Sequence, residues 1–240
     1  MKRYGDAVTA LDLSGPDAAV DSLAAVRSQA PRTSLTEWVA DALREEVVEG
    51  RLRPGSRLPE QRICTALKVS RNTVREAMSQ LVAERVLVRE PHRGVFVARP
   101  DRAAIRDVYR ARRVIEVGVV RDAELDSERL EAVRAAVEEG QGALAGGEWD
   151  DLASANQHFH RALVALAGSP RLDQQMALLL AEMRLVFHRM PGVREFHEPY
   201  LAHNARICEL LEAGERAAAA EAVGEYLRAA EEHLLREYPG

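Results

Sequence analysis

Apolar residues recur every three or four positions from Leu35 through Trp38, Val39, Ala42, Leu43 and Val47, the spacing of one buried helical face. Ser34-Leu35-Thr36-Glu37 has capping-box spacing at its start, and Gly50 ends it. After the turn Arg53-Pro54-Gly55-Ser56, a short helix is predicted from Pro59 to Leu67, with Pro near its first position. Ser70 then caps a third helix, whose stripe is Val74, Ala77, Met78, Leu81 and Val82. The β-branched runs Val86-Leu87-Val88 and Val95-Phe96-Val97, separated by Pro91, His92, Arg93 and Gly94, read as a hairpin.

From Asp101 onward the pattern changes. Ala, Leu, Glu and Arg dominate, no strand signal remains, and the spacing predicts helices over 102–122, 128–144, 148–167, 170–190, 196–212 and 215–237. Gly146-Gly147, Gly168-Ser169-Pro170, Pro191-Gly192 and Gly214 mark the breaks. The chain is therefore mainly α: a three-helix unit with a β-hairpin over 32–99, then an all-helical domain over 100–240. Residues 1–31, mixing Gly, Asp, Ser and Pro, read as a mobile arm.

Composition sharpens this division. The net charge of the 240 residues is only -5, but residues 32–99 carry 13 Lys/Arg against 9 Asp/Glu, while residues 100–240 carry 17 against 25. A basic segment joined to an acidic one implies two tasks. No apolar run exceeds six residues, as in Met176 to Ala181, far short of the ~20 residues that cross a bilayer. Asp6 and Asp12 interrupt any signal-peptide core after Lys2 and Arg3, so a cytoplasmic protein with no membrane partner is expected. Cys64 and Cys208 stand too far apart in sequence to suggest a disulfide framework or zinc knuckle, and read as packing residues.

The third helix opens with Ser70, Arg71, Asn72, Thr73 and Arg75, which combine phosphate donors with side chains able to pair with base edges. Arginine forks onto guanine and asparagine onto adenine in the major groove. Helix, turn, helix, polar helix and basic hairpin is the order of a winged helix-turn-helix, which directs His92, Arg93 and Gly94 to the adjoining groove or backbone.

Residues 35–99 resemble the DNA-binding domain of the GntR family of bacterial transcription regulators. The likeness rests on Val48-Glu49-Gly50-Arg51-Leu52-Arg53-Pro54-Gly55-Ser56-Arg57-Leu58, on Val69 to Ala77, and on Arg93-Gly94-Val95-Phe96-Val97. It implies a homodimer on an inverted-repeat operator in double-stranded DNA, with Arg71 and Arg75 on the reading helix and Arg93-Gly94 in the wing. Gln61 and Thr73 differ from the residues common at those positions in relatives, which leaves Arg62 as the basic residue of the second helix.

In the helical half, polar side chains fall on apolar stripes: Arg112 with Ile105, Val108, Ile115 and Val119; Asn156 and His160 with Leu163, Val164 and Ala167. His203 falls with Ile207, Leu210 and Leu211, and Tyr226 with Val223 and Ala230. Burying such groups is costly unless they are satisfied, which points to a polar cavity, a metal or an anionic ligand. Arg184 and His188 form a further i, i+4 pair, placed either at the cavity or on the surface.

Residues 100–237 resemble the FCD domain of the FadR-type branch of the same family, a six- or seven-helix bundle, through Asn156-Gln157-His158-Phe159-His160-Arg161-Ala162-Leu163. That resemblance implies a carboxylate effector and a divalent ion (zinc, nickel or manganese) held by Asn156, His160 and His203, with Tyr226 where a third His is usual. Without metal, Arg112, His160, His203 and Tyr226 would take the carboxylate directly. The function read from the sequence is thus a non-enzymatic DNA-binding regulator, most simply a repressor. A metal-dependent enzyme and an effector-free architectural dimer are the alternatives; the sequence offers the former no carboxylate beside His160 and His203 at an obvious general-base position.

Overall fold

A computed structural model of the chain describes residues 34–48, 50–190 and 196–238. The expected arm over 1–31 and the break at Pro191-Gly192 lie outside the described residues. Two compact units divide between Ala98 and Arg99.

In the first unit, α1 (Leu35–Val48), α2 (Glu60–Leu67) and α3 (Arg71–Ala83) precede β1 (Leu87–Glu90) and β2 (Gly94–Val97). The Ser34 hydroxyl accepts from the Glu37 amide and so caps α1, and the Ser70 hydroxyl accepts from the Thr73 amide and caps α3. Trp38, Leu43, Leu58, Ile63, Met78 and Leu81 belong to its core. The strands pair antiparallel in the register Leu87↔Val97 and Glu90↔Gly94. β1 lies later than the sequence pattern suggests because Val86 packs in the core ahead of it and the ladder runs on to Glu90, while β2 begins one residue earlier, at Gly94. The segment before α2 joins β2 as well, since the Leu58 amide donates to Val95 and the Gly55 amide to Val97.

The second unit contains α4 (Arg102–Asp122), α5 (Ser127–Gly146), α6 (Trp149–Ala165), α7 (Pro170–Phe187), α8 (Tyr200–Glu212) and α9 (Arg216–Glu237). Asp101 and Asp126 cap α4 and α5, and Pro170 opens α7. Phe196 and His197 are helical, but a turn at Glu198-Pro199 separates them from α8, which begins at Tyr200 with Pro199 at its N-cap. α4 packs along α9, and α5 along α6. Gly140 brings α5 close to α8: a Cβ there would lie 2.7 Å from a Leu201 methyl. Tyr109, Phe159, Phe187, Phe196, Tyr200 and Tyr226 contribute to one core.

The end of this unit is tied to its beginning. The Tyr238 hydroxyl donates to the Pro100 carbonyl at 2.6 Å, and Arg189 donates to both groups, at 3.0 and 3.3 Å. Arg102 donates to the Tyr238 carbonyl at 3.1 Å. Among the described residues no helix is long and apolar enough to cross a membrane.

Candidate functional site

The exposed face of the first unit is built on the start of α3. The Ser70 cap fixes the first turn, and Thr73, half-buried, packs its hydroxyl against that of Ser70 at 2.8 Å. Arg71, Asn72 and Arg75 stand exposed on the same turn, while Arg62 on α2 is half-buried. A helix N-terminus adds its own partial positive charge to this basic surface. At the hairpin tip His92 is exposed with φ 60°, and Gly94 has φ 114°, a conformation suited to glycine. Arg93 pairs with Glu90 and lies over the Phe96 ring, 5.4 Å from its centroid.

The second unit encloses a different kind of site. Arg112 on α4 donates from Nε to Glu116 Oε1 at 2.8 Å, and the other Glu116 oxygen lies 2.6 Å from His160 Nδ1 on α6. The chain continues from His160 Nε2 to the Tyr226 hydroxyl at 3.0 Å, and from that hydroxyl to Asn156 Oδ1 at 3.1 Å. Asn204 Nδ2 on α8 donates to the same Asn156 oxygen at 2.9 Å. All six residues are buried.

Their electrostatics follow from that burial. Burial acts to raise the Glu116 pKa, but Arg112 and His160 outweigh it and hold the carboxyl below its ordinary range. Burial disfavours the Arg112 charge, and Glu116 more than compensates. His160 is held below its ordinary value by burial, against the pull of Glu116, and in its neutral form the ring donates to Glu116 through Nδ1. The single Tyr226 proton then faces two acceptors, His160 Nε2 and Asn156 Oδ1.

Two further buried groups adjoin this chain. Arg184 on α7 is 4% exposed. His197 is packed edge-on against Phe187 and Phe196, and neither of its ring nitrogens has a hydrogen-bond partner among the described residues. Burial first, then the charge of Arg184 and the nearby His160, push the His197 pKa down to about 3. Arg112 Nη2 and Asn204 Oδ1 are also buried without a partner among the described residues.

The sequence pattern therefore needs correction at three places. His203 is exposed on α8, its ring 5.9 Å from each of the Tyr200 and Tyr226 rings. Asn204 takes the inward position because it shares the phase of Tyr200, Leu201, Ile207, Cys208 and Leu211. A carboxylate does accompany His160: Glu116, four residues after Arg112 and on the same buried face, was the legible signal. His197 was not singled out, although it falls within the helix expected over 196–212, three and four residues before Tyr200 and Leu201. Arg184 is buried, whereas His188 is half-buried at the end of α7.

These residues do not fit a divalent ion. Both His160 nitrogens and the Asn156 oxygen are committed to protein partners, and α8 presents an amide instead of an imidazole. Among the described residues no group of three His, Cys, Asp or Glu side chains could hold a metal.

A winged helix-turn-helix joined to an all-helical unit with a buried polar core defines a transcription regulator. The comparisons with known proteins agree. Residues 35–97 match the bacterial regulatory proteins of the gntR family, and residues 107–229 match the FCD domain. The chain belongs to the GntR family, with a C-terminal FCD domain. It is 40% identical to a solved transcriptional regulator GntR from Rhodococcus sp. RHA1, covering 86% of this chain and 100% of that one with a TM-score of 0.77. It is 29% identical over 207 residues to the HTH-type transcriptional regulator BphR of Paraburkholderia xenovorans, covering 80% of each chain. Over 139 residues it is 25% identical to the HTH-type transcriptional repressor RspR of Escherichia coli, 57% of this chain and 61% of that protein. The family and these relatives are regulators, not enzymes, so the Glu116–His160 pair is not assigned general-base chemistry.

Proposed function

We propose that the protein is a cytoplasmic, ligand-responsive repressor that binds an inverted-repeat operator as a homodimer. The carrying observation is the Ser70-capped first turn of α3, with Arg71, Asn72 and Arg75 exposed on a unit that also carries a basic wing. Arg71, Asn72 and Arg75 contact base edges, Ser70 and Thr73 sit against a phosphate, and Arg62, His92, Arg93 and Gly94 approach the flanking backbone or groove. The repressor sense follows the name borne by the Escherichia coli relative.

Within the helical unit the ligand is a small carboxylate bound without metal. Supporting this are the two buried guanidinium groups of Arg112 and Arg184, together with the unpartnered Arg112 Nη2, Asn204 Oδ1 and His197 nitrogens. Asn156, His160 and Tyr226 orient those groups, and His203 stands at the rim. Ligand acts by favouring one of two dimer arrangements. The hydrogen-bonded run from Arg112 to Asn204 favours a second reading, an architectural dimer in which this network is structural only.

Arg71→Ala and Arg75→Ala should each weaken operator binding in an anisotropy titration while leaving the circular-dichroism melt unchanged; unchanged affinity would remove the reading-helix assignment. A panel of small carboxylates in a thermal-shift assay separates the two readings of the core. A ligand that raises the melting temperature and alters operator affinity supports regulation, and a uniformly silent panel supports the architectural dimer.

A further inference from the structure

The two exposed arginines at the start of α3 are each held from behind by adjacent residues of α2. Arg75 Nε donates to Glu60 Oε2 at 2.7 Å, and Arg71 Nη2 donates to Gln61 Oε1. Asn72 is tied in the same manner, donating to Glu76 Oε1 at 2.8 Å, while the Thr36 hydroxyl donates to the other Glu76 oxygen at 3.1 Å. Arg75 remains 61% exposed in this pair, and Glu60 28%.

The geometry points to Glu60 as a positioning residue that sets base specificity by directing Arg75, with Gln61 doing the same for Arg71. This rests on α3 being the reading helix. An exposed ion pair of this kind adds little to folding stability. Its effect lies in what it does to a flexible cation facing DNA. An unrestrained arginine at a protein surface finds a phosphate, the contact that binds without reading sequence. Glu60 opposes that in two ways. Its carboxylate occupies Nε and leaves the Nη1/Nη2 edge of an exposed guanidinium to fork onto guanine O6 and N7. Its negative charge also stands where an approaching phosphate would be repelled. Glu76 adds a second carboxylate, and Gln61 an uncharged amide oxygen, behind the same turn. Holding the side chains before DNA arrives also lessens the rotamer entropy lost on binding.

The test uses the full chain with two probes, a duplex selected by the wild-type protein from a randomised library and a scrambled duplex of the same composition. Glu60→Ala should lower the ratio of the two affinities about tenfold, the scale of one lost bidentate base contact. Binding to the scrambled duplex should hold or tighten, with its log–log salt slope steeper by about 0.9 as Arg75 gains a phosphate. Glu60→Gln keeps an oxygen for Nε and should recover at least half of the lost discrimination on a logarithmic scale. An unchanged ratio in Glu60→Ala, a parallel loss on both duplexes, or a Gln variant no better than Ala each overturns the assignment. Arg75→Ala is measured alongside. If it lowers the ratio and Glu60→Ala does not, the positioning role alone fails; if it leaves the ratio intact, the reading-helix assignment fails and takes the positioning role with it.

Discussion

His160 Nδ1 lies 2.6 Å from Glu116 Oε2, and the two side chains, from α6 and α4, are among the most deeply buried polar groups of the second unit. With Arg112 on the other oxygen, Glu116 serves as an internal anion between a guanidinium and an imidazole. The core thus carries its own neutralising charge.

Removing that anion leaves Arg112 buried and uncompensated. Glu116→Ala should destabilise the helical unit by about 3–5 kcal/mol in urea denaturation, whereas a double Arg112→Met, Glu116→Leu variant should recover most of the loss. Equal midpoints for wild type and Glu116→Ala would show that the pair contributes nothing.

Stability should fall on acidification through His197. In the unfolded chain this ring titrates near its ordinary 6.5, and in the folded chain its pKa is pushed down to about 3. Between those values only the unfolded state takes up the proton, so the His197 contribution is complete above 6.5 and declines as pH falls towards 3. His197→Phe should flatten the stability–pH slope in that interval by up to about 1.4 kcal/mol per pH unit. Superimposable profiles for variant and wild type would refute the assignment.

Metal should be dispensable. Dialysis against a chelator should leave the melting temperature within about 1 °C, and exposed His203→Ala should change stability by less than about 0.5 kcal/mol. Near-stoichiometric zinc, nickel or manganese in untagged protein, lost together with stability on chelation, would reverse this conclusion.

Gly94 should resist substitution for conformational reasons. A Cβ there would meet Arg57 Nε at an ordinary 3.5 Å, but φ of 114° is strained for any other residue. Gly94→Ala should therefore cost the first unit about 1–3 kcal/mol. A neutral substitution, measured by denaturation, would mean that the wing relaxes to another backbone conformation.

How far the sequence carried depended on how each residue is specified. Helical stripes such as Val74, Ala77, Met78 and Leu81 are written locally, so α3 and its exposed first turn were legible. The helix expected over 196–212 ran through Pro199, which the structure places at the N-cap of α8. The inward position on α8 was missed because His203 and Asn204 lie one step, about 100° of helical rotation, apart, and the apolar residues flank both phases. Glu116 was legible only as the i+4 neighbour of Arg112 on α4; its pairing with His160 depends on α6 packing against that face. The surroundings of His197 depend on Phe187 arriving from α7.

The hydroxyl of Tyr238 on the Pro100 carbonyl anchors the end of α9 to the start of its own unit. Tyr226 stands in the polar core and Tyr238 closes the helix twelve residues later, about 18 Å along a continuous rod. One tyrosine thus feels the core, and the other grips the peptide just beyond the boundary at Ala98. A single helix with its C-cap therefore supplies both the hydroxyl that closes the polar core at Asn156 and the hydroxyl that anchors the first residues of the same unit at Pro100.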